Sequence, residues 1–193
     1  PRSKVLSGII GIAVLLVIVA LLAYPRIFLA RKNKITRDPD GRISIAVNTF
    51  DNLTGDTLLN SWRLGISELL IYNLGTSREL SVQNSQTMSE VYRSMGQTQI
   101  ASMVPTVSRE AAMKLKAGTY ITGNYQKTGN KIRIIVKLFD TKTDELLWTG
   151  KVDGNINADY IDLADSLSIE VKNFLEIKAL GKNASLDFRE AYT

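Results

Sequence analysis

The chain has 193 residues, 45% hydrophobic and 22% charged, a composition that excludes a disordered or collagen-like polypeptide. It contains neither cysteine nor histidine, which excludes disulfide bonds, metal sites built from these residues and catalytic triads with a histidine base. The net charge of +5 comes from seven cations that precede the first acid, whereas the chain from Asp38 onward has 17 basic and 19 acidic residues, so we expect no nucleic-acid partner for this segment.

The first predicted element is a membrane-spanning helix over Val5–Tyr24. These twenty residues carry no charge, and at about 1.5 Å rise per residue they match the roughly 30 Å hydrocarbon core of a bilayer. The alternatives are a buried core helix, which would have a polar face, and a cleavable signal peptide. A signal peptide is disfavoured because its apolar region is shorter and because Leu22 and Tyr24 interrupt the small-residue cleavage pattern. We therefore predict that this helix contacts the lipid bilayer and anchors the chain.

Two short segments flank the predicted membrane helix. Residues 1–4 are predicted to form a flank on the cytoplasmic side, and residues 25–41 a basic tether that ends in the turn-forming sequence Arg-Asp-Pro-Asp-Gly. The excess of lysine and arginine on the tether, taken alone, predicts that the following domain lies in the cytoplasm.

Residues 42–180 are predicted to form one α/β (α+β) domain. In chain order, its predicted elements are a strand at Arg42–Phe50, a helix at Leu58–Leu74, a strand at Leu80–Gln83, helices at 85–95 and Arg109–Lys116, strands at Tyr120–Lys127, Lys131–Asp140 and Glu145–Val152, and a helix at Tyr160–Ile177. The order β-α-β-α-α-β-β-β-α predicts a mixed sheet of about five strands covered by helices. Residues 181–193 are predicted to be a linker to a further C-terminal region.

The starts of the helices are predicted from capping residues. Thr57 or Asn60 is predicted to cap the first helix of the domain, and Ser85 or Thr87 the second. The first helix is predicted to direct its leucines, Leu58 among them, mostly to one buried side.

The polar loop after the first strand is the candidate partner-binding site, formed by Asp51, Asn52, Thr54, Gly55 and Asp56. Open α/β sheets place ligand sites at this position. The sequence DNLTGD lacks both the Walker and the dinucleotide-binding patterns, so no cofactor is expected. The alternative interpretation is a solvated loop that caps a helix.

A second candidate surface is the strand around Tyr120–Tyr125. We predict that this strand is an exposed edge of the sheet. An unpaired edge can accept a strand from a partner.

Three carboxylates, Asp140, Asp144 and Glu145, cluster around the second predicted hairpin. Paired carboxylates act as acid and base in glycoside hydrolysis, which makes a hydrolase one functional hypothesis. The three residues flank the sequence Thr-Lys-Thr, which is ordinary turn composition, and no histidine is available to activate a serine. We predict no catalytic, cofactor-binding or metal-binding residue, and hence a protein that is not an enzyme.

Four stretches carry a resemblance to a known family: ISIAVNTFDNLTGD (43–56), GISELLIYNL (65–74), LSVQN (80–84) and residues 110–154, which contain a glycine-bearing strand pair and a later Leu-Trp. In this order they resemble the TolB-like amino-terminal domain family, which is related in fold to FlgO-type and CsgG-type domains. Members of this family often follow a single membrane helix and precede tetratricopeptide repeats.

The resemblance implies a non-catalytic interaction or sensory domain of a bacterial envelope protein, with a protein or peptide partner. It implies that the chain is part of a larger signalling or regulatory protein. It also implies a single-pass anchor in the bacterial inner membrane with the soluble domain in the periplasm, opposite to the count of lysine and arginine. The alternative is an envelope assembly or secretion accessory domain that self-associates into homo-oligomers or recruits partners.

Overall fold

The computed structural model describes residues 17, 19, 35–97, 105–155 and 160–179. The chain divides into two compact units, Pro1–Lys34 and Ile35–Thr193. Of the predicted membrane helix only Val17 and Val19 are described, both as helical. The rest of the predicted span lies outside the described residues, as do the predicted flank, most of the tether and the C-terminal linker. Among the described residues, no helix is both long enough and apolar enough to cross a membrane.

The second unit has, within its described residues, six strands and four α-helices. The strands are β1 (Ile43–Val47), β2 (Asp51–Asn52), β3 (Leu80–Val82), β4 (Thr119–Thr128), β5 (Lys131–Asp140) and β6 (Leu146–Asn155). The helices are α1 (Trp62–Gly75), which follows a 3₁₀ turn at Thr57–Ser61, α2 (Ser85–Ser94), α3 (Pro105–Lys114) and α4 (Tyr160–Ala179). The predicted order of elements is confirmed, with the short strand β2 as an addition.

The strands form one mixed sheet in the order β3-β1-β4-β5-β6, with β2 beside β4. β1 is parallel to β3 and β4, whereas β4, β5 and β6 form an antiparallel meander. All five residues of β1 are buried, as is typical of a central parallel strand covered on both faces. β5 instead alternates exposed and buried residues over most of its length, because only one of its faces is covered there.

Two helix layers lie on opposite faces of the sheet. On the core face, α1 and α4 cover the apolar side chains of the strands, and the fully buried Leu70 and Leu167 belong to this cluster. On the outer face, α2 and α3 pack around Ala46 and Tyr120. The rest of the outer face of the meander, around the exposed Arg133, carries no described helix.

The prediction that Tyr120–Tyr125 forms an exposed sheet edge is wrong. These residues lie in β4, which pairs with β1 and β2 on one side and with β5 on the other. Within the described sheet, the edge strands are β3 and β6, and the two-residue strand β2 also pairs on one side only. The difference arises because a parallel crossover places β1 beside β4, and local sequence patterns do not specify such a long-range pairing.

Two predictions for the start of the first helix are also wrong. Asp56, rather than Thr57 or Asn60, provides the cap, because its carboxylate accepts the backbone N–H of Leu58 at 3.0 Å. Leu58 does not belong to the buried helix face, since it lies in the 3₁₀ turn and is 86% exposed. The cap of α2 is likewise earlier than predicted, at Asn84.

Candidate interaction site

The loop that follows β1 is held in place by a contact between Phe50 and Gly123. The Phe50 ring is fully buried and lies so close to Gly123 of β4 that a Cβ atom on this glycine would be 2.1 Å from Phe50 Cε1. The glycine therefore lets the chain return to β4 and pair with it as β2. The Leu53 N–H continues this pairing by donating to the Tyr125 carbonyl at 2.9 Å. The loop thus starts from a fixed point of the core.

The polar side chains of the loop bond mainly to one another. The Asn52 amide group donates to the Asp56 carbonyl and to Asn60 Oδ1, both at 2.8 Å. The Asn52 Oδ1 atom accepts from the Thr54 N–H at 3.0 Å and from the Thr54 hydroxyl at 2.6 Å. Gly55 has a φ of +75°, a left-handed conformation that favours glycine. These contacts match the interpretation of a helix-capping loop. A direct role in partner binding stays a prediction for the four site residues of this loop, which are Asn52, Thr54, Gly55 and Asp56.

Two leucines of the loop face the solvent. Leu53 is 57% exposed and Leu58 is 86% exposed. A single exposed leucine is ordinary, but two on one hydrogen-bonded loop form an apolar contact that is already ordered before binding. We call Leu53 and Leu58 the loop leucines. The sequence does not predict that these leucines are exposed, because apolar residues next to a helix are usually assigned to its buried face.

An open pocket of about 170 Å³ lies beside the loop on the outer face of the sheet. It is lined by Thr49, Asp51, Ser108, Thr122, Gly123, Asn124 and Lys137. The Thr49 hydroxyl is buried and has no hydrogen-bond partner within the described part of the chain. An unpaired buried hydroxyl is unfavourable for the folded state.

Asp51 is the predicted site residue whose side chain lines this pocket. Its Oδ1 atom lies 4.0 Å from Nη2 of Arg63. Burial raises the pKa of the Asp51 carboxyl above its ordinary value of 3.8, and the Arg63 guanidinium offsets part of this rise. The ionised carboxylate is therefore less favourable in the folded protein than in water.

Asp51→Asn is expected to stabilise the folded protein at neutral pH, because it removes a charge that burial disfavours. A raised pKa means that protonation of Asp51 stabilises the fold below the ordinary value of 3.8 and that this stability is lost as the pH rises through the folded-state pKa. In urea unfolding of the full chain, we expect a higher midpoint for the variant at about pH 7 and equal midpoints at about pH 3. A difference that does not change with pH would contradict this role of ionisation.

Two of the three carboxylates near the second hairpin make contacts that hold the turn, Asp140 within it and Asp144 with residues of β4 and α3. Asp140 Oδ1 accepts from the N–H and the hydroxyl of Thr143 at 2.8 and 3.0 Å. The Asp144 carboxylate accepts from the Tyr120 hydroxyl and lies 3.9 Å from Arg109 Nε. Burial, and then the hydrogen bond to Asp144, raise the pKa of Tyr120. Within the described part of the chain, no group of three acidic side chains is arranged to hold a metal ion.

The uncovered outer face of the meander is positively charged. It carries Lys131, Arg133 and Lys137 of β5 together with Lys151 and Asp153 of β6, and we call these five residues the basic face. Four of the five are cations, which gives the face a net charge of +3. The sequence contains a signal for it: in KIRIIVK (131–137), cations occupy three of the four alternate positions, and a period of two assigns these positions to one face of a strand.

Solved structures resemble this fold, whereas no protein-family model and no curated protein sequence matches the chain. Lipoprotein GNA1162 from Neisseria meningitidis is 16% identical with a TM-score of 0.51, over 70% of this chain and 99% of that chain. The LpoB C-terminal domain from Escherichia coli is 18% identical with a TM-score of 0.50, over 58% of this chain and 82% of that chain. TolB from Acinetobacter baumannii is 13% identical with a TM-score of 0.41, over 74% of this chain and 29% of that chain.

These similarities define the class of fold. The chain has an α+β fold like that of the LpoB C-terminal domain and of lipoprotein GNA1162. The similarity to TolB is too low to carry an argument, so the TolB-like resemblance continues to rest on sequence stretches such as 43–56. The FlgO-type and CsgG-type relationships and the following tetratricopeptide repeats stay predictions.

Proposed function

We propose that this chain is a non-catalytic interaction domain of a bacterial envelope protein and that it contacts a protein partner through the loop leucines. The observation that carries the proposal is the exposure of Leu53 and Leu58 on a loop whose polar side chains are bonded internally. Such a loop loses little conformational entropy on binding, and exposed apolar side chains on an ordered loop are suited to anchor a partner.

Attachment to a membrane is part of the proposal. It is supported by the uncharged sequence at Val5–Tyr24, which is long enough for a bilayer. One protein of similar fold, GNA1162, is itself a lipoprotein. The finer proposals are a single-pass anchor in the inner membrane, a periplasmic position of the domain, and a place within a larger signalling protein.

The loop leucines can be tested by replacing them with a polar residue of smaller size. We expect the double variant Leu53→Ser, Leu58→Ser to lose a discrete product of chemical cross-linking in intact cells, because both apolar anchors are removed. Truncation of interface anchors typically lowers affinity by about tenfold or more. The measurement is the amount of cross-linked partner that copurifies with the full chain, followed by mass spectrometry of the product.

The matched control is Tyr72→Ser, which removes an apolar side chain that is 73% exposed on α1. We expect this variant to keep the cross-linked product. Urea unfolding of both variants should match the parent, since none of the three side chains is buried. Loss of the product in the control as well, or its persistence in the double variant, would contradict the proposed role of the loop.

Self-association is the second candidate function, and β6 is the observation that favours it. This ten-residue strand pairs only with β5 among the described strands and therefore presents an unpaired edge. The same cross-linking experiment distinguishes the two functions, because self-association would give a product containing two copies of this chain and no other protein.

A further inference from the structure

The positive charge of the folded domain is concentrated on the basic face. From Asp38 onward the chain has two more acidic than basic residues, yet the basic face has a net charge of +3. Its residues are on the same side of neighbouring strands, because Arg133 is in register with Asp153 and Ile135 with Lys151. The charge distribution is therefore asymmetric in a way that net charge does not reveal.

Only one of the four cations has its charge matched by a close partner. Arg133 donates from Nε to Asp153 Oδ1 at 2.6 Å and from Nη2 to Asp153 Oδ2 at 2.8 Å, a bidentate pair. Within the described part of the chain, Lys131, Lys137 and Lys151 form no ion pair. The hydrogen bond from Arg133, and then the charges of Arg133, Lys151 and Lys131, lower the pKa of Asp153. The Arg133–Asp153 pair is therefore neutral, and the three lysines on the same face leave it with an excess of positive charge.

The spacing of the lysines matches an extended polypeptide. Lys131 and Lys137 are six residues apart on β5, which corresponds to about 20 Å along a strand. Lys151 lies between them on the adjacent strand, opposite Ile135. An extended segment of about six residues would therefore reach all three ammonium groups.

The composition of the face favours a protein over a nucleic acid. The basic face lacks an exposed aromatic side chain on which nucleic-acid bases could stack.

Asp51 of β2 lies near one end of the basic face. Asp51 is in register with Asn124 of β4, and Asn124 is in register with Ile135 of β5. Asp51 and Lys137 line the same pocket, so a carboxylate lies near Lys137. The excess of positive charge is therefore largest toward Lys131 and Lys151, where the Asp153 carboxylate is already paired with Arg133.

We propose that the basic face binds an acidic, extended segment of the partner protein. This inference rests on the proposed interaction function and specifies the chemistry of the partner. The carboxylates of the segment pair with Lys131, Lys137 and Lys151, while the Arg133–Asp153 pair holds its place between them. Such exposed pairs increase the rate of association and set the orientation of the partner.

The test uses the full chain in an uncharged detergent and a fluorescent, glutamate-rich peptide of about six residues. The test variant is Lys131→Glu with Lys151→Glu, and the control is Lys127→Glu with Lys142→Glu, which changes the net charge equally. Lys127 is in register with the buried Ile132 and so is on the opposite side of the sheet, and Lys142 is in the β5–β6 turn. All four lysines are exposed, so we expect each variant to fold.

We expect fluorescence anisotropy to show binding by the parent, about tenfold or more weaker binding by the test variant, and a change of no more than about twofold for the control. Raising the salt concentration should reduce the difference between parent and test variant, because exposed charges are screened. No binding by the parent, an equal loss in both variants, or binding only to vesicles of phosphatidylglycerol would overturn the proposal. The cross-linking experiment in intact cells distinguishes the failure of the two proposals. If the test variant keeps the cross-linked partner, only the acidic-segment inference fails. If the parent protein gives no cross-linked partner, the proposed interaction function fails.

Discussion

Gly123→Ala is expected to lower the free energy of unfolding by about 3 kcal/mol, at the upper end of what overpacking of a core produces. The added Cβ atom would lie 2.1 Å from Cε1, 2.4 Å from Cδ1 and 2.6 Å from Cζ of Phe50. Phe50 is fully buried, so its ring can move only by displacing core neighbours or by shifting the chain that leads into β2. Urea unfolding of the full chain measures the loss.

The effect of Gly123→Ala should extend to the interaction site. A shift of Phe50 displaces the start of the loop, so we also expect less cross-linked partner than in the parent. Gly75→Ala is the control, because a Cβ atom at Gly75 has no neighbour within 4 Å and an alanine at the end of α1 should be neutral or slightly stabilising. Equal unfolding curves for both variants would contradict the close contact of Phe50 with β4.

Asn48→Ala is expected to lower the free energy of unfolding by about 2 kcal/mol, because it leaves a buried hydroxyl without its acceptor. Asn48 is 1% exposed and follows β1. Its Nδ2 atom donates to the Ile121 carbonyl at 2.8 Å, and its Oδ1 atom accepts from the Tyr92 hydroxyl of α2. This side chain therefore joins the sheet to the helix layer on the outer face.

A double-mutant cycle with Tyr92→Phe isolates that contact. Tyr92→Phe removes the hydroxyl that loses its Asn48 acceptor, so the double variant should be more stable than the sum of the two single losses predicts, by about 1 kcal/mol. The measurement is urea unfolding of the three variants and the parent. Strictly additive losses would show that the Asn48 side chain does not hold Tyr92.

The order of elements follows from the sequence because each element has a local signal. The β-branched run of β1 predicts a buried strand, and the alternation of β5 predicts a strand with one exposed face. Glycine and polar residues between the apolar runs mark the turns of the meander. These signals depend only on residues close together in the sequence, so they can be recognised before the fold is known.

The details that the sequence does not provide depend on contacts between distant residues. β2 exists because Phe50 packs on Gly123, which is far away in the chain, and two residues are too few to show a strand pattern. The burial of β4 between two neighbours depends on the parallel crossover from β1. Leu58 is exposed because the 3₁₀ turn capped by Asp56 changes its direction before α1 begins.

The sequence predicts where the candidate site lies, but it does not predict which side chains of the loop face outward. The loop after the first strand is where the sequence places it, but Asn52 and Asp56 have their hydrogen bonds within the loop. The side chains that face outward are the loop leucines, whose exposure depends on the shape of that loop. The β5 part of the basic face, in contrast, follows a local period-two pattern that the sequence shows. The full face can be recognised only from the sheet, because the pairing of β6 with β5 adds Lys151 and Asp153 to it.

The most direct test of the interaction function is site-specific photo-cross-linking in intact cells. A photoreactive phenylalanine derivative is placed in the full chain at position 58 and, as a control, at position 72, where Leu58 and Tyr72 are the two most exposed of the large apolar side chains among the described residues. We predict one discrete protein adduct from position 58 that disappears when Leu53→Ser is added, and no such adduct from position 72. Adducts of equal yield from both positions, or none from position 58, would contradict the assignment of this loop as the partner-binding surface.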